Sequence, residues 1–181
     1  LFWYLTLAPP DDEPKQGGGY LGVFNKGEES QVVAVEFDTF INDDSDIDDR
    51  RHLHIGIDFK SIKSRHTAAW EFKNGEEGIA YISYDTFASN TFKVTFFYPS
   101  YEKSYVSQSI YRLPLKGALS EWVRVGFSAS SGESDPEYVE THEVNSWYLA
   151  SSFEHNPADL AEAFKAVNPR LASSLNLHFG E

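Results

Sequence analysis

From Gln31 to Phe40 the side chains alternate, with Val33, Val35 and Phe37 on one side and Ala34, Glu36 and Asp38 on the other. That period of two marks a strand, because successive residues of extended backbone face opposite ways. Similar runs follow at His54–Phe59, Ala68–Phe72, Ile79–Tyr84, Phe92–Tyr98, Val106–Leu113, Trp122–Ala129 and Val144–Ser151. Turn formers separate consecutive runs, among them Asn74-Gly75 and Ser89-Asn90. Eight or nine strands at this spacing, with little helical period before Phe153, predict an all-β chain folded as an antiparallel sandwich. The aromatic share of 15% leans the same way, since Phe, Tyr and Trp favour strands. No internal repeat stands out.

After Phe153 the texture changes. Asn156 followed by Pro157 reads as an N-cap with proline at the first helical position. Leu160, Ala163, Phe164 and Val167 then share one face until Asn168-Pro169. This predicts a short amphipathic helix, docked on the sheet or on a neighbouring subunit, and a tail to Glu181.

Several function classes are excluded by composition. The 15 basic and 28 acidic residues give a net charge of −13, which argues against a nucleic-acid partner. With no Cys, disulfides and thiolate metal sites are ruled out. No apolar run approaches the roughly 20 residues that span a bilayer, so a soluble chain without membrane insertion is expected. Leu1 to Ala8 is apolar but lacks a basic leader and runs into Pro9-Pro10, so it does not read as a signal peptide. The start inside a strand-like run, without Met, predicts a processed or incomplete chain.

The chemistry concentrates between Val32 and Ser64. Glu36 and Asp38 lie two apart on a predicted strand and project from the same face. Asn42 follows, then an acidic loop with Asp43, Asp44, Asp46, Asp48 and Asp49, then His54 at the head of the next strand. Carboxylates with an amide oxygen suit Ca²⁺, and an imidazole added to shared carboxylates suits Mn²⁺ or a similar metal. A solvated acidic loop is the plain alternative, but it leaves two like charges paired on a strand with nothing to offset them. An EF-hand loop starting at Asp44 fails, because its sixth position is Asp49 rather than Gly and its twelfth is Ile55 rather than Glu. A glycosidase strand of the Glu-x-Asp-x-Glu kind is incomplete, with Phe40 at the third position.

The blocks VAVEFDTF (Val33–Phe40), Ile41-Asn42, HIGID (His54–Asp58) and KSIKS (Lys60–Ser64) resemble the metal-binding signature of the legume lectins. GGGYLGVFN (Gly17–Asn25), NGEEG (Asn74–Gly78), the Glu121–Gly132 segment and THEVNSWYLASSF (Thr141–Phe153) resemble further family blocks in the same order. The resemblance runs from about Leu7 to Phe153, in the non-permuted order. It implies a legume-lectin-type, concanavalin-like jelly-roll β-sandwich over residues 1–153 and a C-terminal extension over 154–181.

The resemblance also implies a non-catalytic, calcium- and manganese-dependent carbohydrate-binding lectin. Glu36, Asp38 and His54 match the transition-metal ligands; Asp38, the Phe40 carbonyl and Asn42 match the calcium ligands. The shared aspartate corresponds to Asp49, with Asp46 the other choice. Ser64 matches a residue that supports the transition metal without touching it. For the sugar, the amide of Asn42 would donate to a ring hydroxyl, the Phe40 ring would stack on the pyranose, Gly19 would offer a bare backbone N–H, and Glu133 and Ser134 would close the site. The long Glu133–Thr141 loop implies galactose or N-acetylgalactosamine preference; a mannose/glucose lectin or a defence or storage protein without sugar binding are the alternatives. Dimers or tetramers, glycan and glycoprotein partners, and a secreted or seed-vacuolar location follow by the same resemblance. The family's Ala-Asp-Gly step would precede Phe2–Leu7, so an absent N-terminal third is expected, supplied by a companion chain or lost.

Overall fold

The structure, a computed structural model, describes residues 2–8, 15–41, 52–86, 90–101, 105–110, 112–119, 122–130 and 140–150. Eight strands are present among them: β1 (Phe2–Ala8), β2 (Val33–Asp38), β3 (His54–Phe59), β4 (His66–Ala69), β5 (Ile79–Asp85), β6 (Thr91–Phe97), β7 (Tyr105–Ile110) and β8 (Arg124–Ser130). They form a five-stranded sheet in the order β4-β3-β2-β1-β8 and a three-stranded sheet in the order β5-β6-β7. Every pairing is antiparallel. The only helical element among the described residues is the 3-10 turn Gly18–Tyr20.

The alternation dictates the packing. Val33, Val35 and Phe37 of β2, with Ile55, Ile57 and Phe59 of β3, meet Phe92, Val94 and Phe96 of β6 in one core between the sheets. Trp70, Tyr98, Leu113, Leu115 and Ala118 complete it. The aromatic excess sits here. Phe37, Trp70 and Phe96 form a mutual edge-to-face set with centroids 5.4–5.9 Å apart, and Phe96 meets Tyr98 at 5.0 Å. Such pairs add about 1 kcal/mol each to the burial of their area. The two polar tips are paired with each other: the Trp70 indole N–H donates to the Tyr98 hydroxyl at 3.0 Å.

The opposite face of β2 and β3 is buried as well, so all twelve residues of the pair are shielded from water. Over Val32 and Ala34 the cover is a second apolar cluster made of Tyr20, Leu21, Phe24 and Ile62. The 3-10 turn that presents Tyr20 and Leu21 bends through the left-handed region at Gly18 and Gly22, a conformation that glycine adopts without steric cost. The Ser128 hydroxyl of β8 donates to the Leu21 carbonyl and ties this turn to the sheet.

Most strands lie within two residues of their expected places. Two readings need correction. The fourth strand ends at Ala69 instead of running to Phe72, because Trp70 turns into the core and its backbone N–H pairs with the Leu53 carbonyl. Residues 144–150 carry no regular secondary structure; alternation sets which way side chains face but does not supply a neighbouring strand. The chain divides into two compact units, Leu1–Glu143 and Val144–Glu181. The helix expected at 157–167 lies outside the described residues.

Replacing Phe37 by Ala would remove the ring that meets both Trp70 and Phe96 and is expected to cost about 3–5 kcal/mol. Urea unfolding followed by tryptophan fluorescence checks this; a loss under 1 kcal/mol would contradict the core assignment.

Candidate functional site

The register of β2 against β3 builds the site. Asp38 stands opposite His54, and Glu36 opposite Gly56. With a side-chain period of two, Glu36, Asp38 and His54 therefore share the face turned away from the intersheet core. All three are buried, and one ligand atom from each lies within 4.8 Å of the others. His54 Nε2 is 3.6 Å from Glu36 Oε2, and His54 Nδ1 is 3.6 Å from Asp38 Oδ2.

The hydrogen bonds orient these groups. His54 Nδ1 lies 3.1 Å from the His52 carbonyl, which can only accept, so Nδ1 carries the proton. That tautomer leaves the Nε2 lone pair directed elsewhere, and Nε2 is buried without a hydrogen-bond partner. One oxygen of Asp38 accepts the Phe40 backbone N–H at 2.7 Å. The Ser64 hydroxyl lies between Glu36 Oε2 at 3.1 Å and Asp58 Oδ1 at 2.5 Å.

The electrostatics agree with a site that wants a positive charge. Burial, then the Glu36 charge, pushes the Asp38 carboxyl up to about 7, against weaker lowering by the Phe40 N–H and His54. Burial alone would lower His54, but the adjacent Glu36 and Asp38 outweigh it and the imidazole is raised. Two carboxylates and an orphaned imidazole nitrogen, converging off water, fit a divalent metal with mixed nitrogen and oxygen ligands.

Of the residues expected to act, the structure brings Glu36, Asp38, His54 and Phe40 together, with Ser64 behind Glu36. Phe40 lies two residues beyond the end of β2, with 40% of its surface exposed. Gly19 lies within the 3-10 turn, and the left-handed backbone falls on Gly18, Leu21 and Gly22 around it. Asn42, Asp49, Asp46, Glu133 and Ser134 lie outside the described residues.

Three further residues escaped the sequence reading. Asp58 continues the same face of β3 two residues beyond Gly56, a spacing that could have flagged it. Glu140 accepts a hydrogen bond from the Thr39 hydroxyl at 3.0 Å, across 101 positions of sequence that gave no signal. His142 Nε2 lies 3.7 Å from the same Glu140 oxygen.

The sequence profile of the legume lectin domain matches residues 4–164. This chain belongs to the legume lectin family. It is 45% identical over 149 residues to a seed lectin of Vatairea macrocarpa, covering 82% of this chain and 59% of that one. It is 42% identical over 151 residues to the 2-acetamido-2-deoxy-D-galactose-binding seed lectin 2 of Cytisus scoparius, covering 80% of this chain and 59% of the relative. Among solved structures, basic winged bean lectin with Tn-antigen superposes with a TM-score of 0.66 at 33% identity, over 76% of this chain and 55% of that one. The legume-lectin-type sandwich expected from the resemblance is thereby shown. The family is one of non-enzymatic carbohydrate-binding proteins, which disposes of the glycosidase reading. The chain spans 59% of the length of each of these two curated relatives.

Without metal, folded Asp38 holds a proton that the unfolded chain releases above the ordinary carboxylate value of 3.8. Stability of the metal-free form should therefore fall as pH rises from about 4 to 7, by at most about 4 kcal/mol. The raised His54 adds a loss of the same sign above the ordinary imidazole value of 6.5. Urea midpoints of the chelated chain are expected to be lower at pH 7.5 than at pH 5, with Mn²⁺ restoring the midpoint at pH 7.5. The same slope in Asp38→Asn would contradict this assignment.

Proposed function

We propose that this chain carries the metal and sugar site of a calcium- and manganese-dependent lectin that binds galactose and N-acetylgalactosamine without catalysis. The observation that carries the reading is the buried Glu36–Asp38–His54 cluster with an unpartnered imidazole nitrogen, joined through Asp38 to the backbone of the exposed Phe40. In this reading Glu36, Asp38, Asp49 and His54 hold Mn²⁺, and Asp38, the Phe40 carbonyl, Asn42 and Asp49 hold Ca²⁺. The cations supply fixed positive charge that neutralises the carboxylates and stiffens the Phe40–Asn42 segment.

Sugar is then held by the chain's own groups. The Phe40 ring covers the apolar face of the pyranose. The amide of Asn42 and the backbone at Gly19, Glu133 and Ser134 meet its hydroxyls. The galactose-type preference draws on the name of the Cytisus scoparius relative, a 2-acetamido-2-deoxy-D-galactose-binding lectin. The names of the seed relatives support a secretory route to seed storage vacuoles. Among the described residues no helix is long and apolar enough to cross a membrane. Dimeric or tetrameric assembly, with or without a companion chain, would give the multivalency that agglutination needs.

A glycan array of the purified protein, with and without EDTA, tests the proposal. Galactosides and N-acetylgalactosaminides should bind above mannosides and glucosides, and chelation should abolish the signal; binding unaffected by EDTA would refute metal dependence. Acid should also weaken binding, because the ligands must lose their protons to hold metal. Phe40→Ala is expected to lower affinity about tenfold, the loss of one aromatic stacking contact. Calorimetric titration with galactose measures that loss, and unchanged affinity would remove Phe40 from the site.

A further inference from the structure

The face of β3 that presents His54 also presents Gly56 and Asp58, neither of which belongs to the converging set of three. Asp58 is fully buried. Burying a carboxyl that ligates nothing costs stability that an apolar side chain of similar size would not, so its contacts should matter. Its Oδ1 lies 2.5 Å from the Ser64 hydroxyl, whose other neighbour is Glu36 Oε2 at 3.1 Å. Ser64 is held in place by the turn after β3, where the Arg65 N–H donates to the Ile57 carbonyl at 2.8 Å.

The contact is possible only because residue 56 has no side chain. A Cβ at Gly56 would stand 2.1 Å from Ser64 Oγ and 2.8 Å from Glu36 Oε2, both closer than real Cβ atoms come to such atoms. Glu36 has three side-chain torsions and reaches into the cluster from the facing strand. A hydroxyl held from behind by Asp58 restricts the carboxylate to one arrangement before any cation arrives.

We propose that Asp58 is a positioning residue for the metal site. It holds Ser64 against Glu36 through the gap left at Gly56, and so sets the affinity and geometry with which the cluster takes a transition metal. The inference rests on the metal reading above. Partners of this kind, which orient a ligand without touching the metal, change affinity about 10- to 100-fold when removed.

The test measures Mn²⁺ uptake and the electron paramagnetic resonance signature of the bound ion, alongside thermal midpoints of the chelated proteins. Asp58→Ala, Ser64→Ala and Gly56→Ala should each weaken Mn²⁺ binding about 10- to 100-fold and alter the signature. Asp58→Asn, whose amide N–H can donate to the Ser64 oxygen and leave the Ser64 proton for Glu36, should recover most of the affinity. If Asp58→Ala does not fold, the Ser64 and Gly56 variants decide the matter. Wild-type affinity and signature in Ser64→Ala and Gly56→Ala would overturn the proposal, as would a loss in Asp58→Asn equal to that in Asp58→Ala. A wild-type chain that takes up no Mn²⁺ is a different result: it removes the metal reading, and this inference with it.

Discussion

Glu36, Asp38 and His54 lie on a strand pair that is buried on both faces, and that burial governs the rest of the site. In water, two carboxylates and an imidazole could stand this close at little cost. Off water, each charge must find an opposite one or be neutralised by a proton. Burial pushes the Asp38 carboxyl toward the second outcome, while the carboxylates beside His54 push its imidazole toward the first. A divalent ion offers the first, and it does so while using the orphaned Nε2 of His54.

The two faces of β2 and β3 depend on each other. On the inner face Val35, Phe37, Ile55 and Ile57 are locked against β6 and the Trp70–Phe96 set. That packing fixes the register, because a slip of one residue would drive Glu36 and Asp38 into the aromatic core. The same register sets Asp38 opposite His54 and leaves the bare Gly56 opposite Glu36. Ligand placement on the outer face is thus inherited from apolar packing on the inner face, which is rigid enough to hold ligand atoms to tenths of an ångström.

What could be read from the chain follows the same division. Local periodicity gave β2, β3 and the shared face of Glu36 and Asp38, since strand geometry alone puts residues two apart on one side. The imidazole of His54 at the head of the next strand is legible beside them, and the family blocks match it to the same ligand set. Periodicity failed at Ala68–Phe72, where the indole of Trp70 found a better place in the core than any strand position offered. It failed again at Val144–Ser151, because alternation is silent about whether a neighbouring strand is present. Asp58 was overlooked for a different reason. A single acidic residue on a strand looks like a solvent-facing charge until the Ser64 turn is seen to cover it. Glu140 could not have been found, since its contact with Thr39 joins segments with no pattern in common.

The remaining step joins the metal cluster to the surface. Asp38 divides its two oxygens, one toward His54 and one accepting the Phe40 backbone N–H. The carboxylate that would hold the cation in the proposed reading is therefore the same group that accepts the backbone N–H where the chain leaves β2. Thr39, between them, is drawn to Glu140, so the exit from β2 is pinned on both sides of the peptide that carries the exposed Phe40 ring. In the proposed reading, a change in the ionisation or ligation of Asp38 would reach that ring through the Phe40 N–H that the carboxylate accepts. Metal dependence of a surface site, as proposed above, would then need no separate relay through the sandwich, because one buried carboxylate touches both the cluster and the Phe40 backbone.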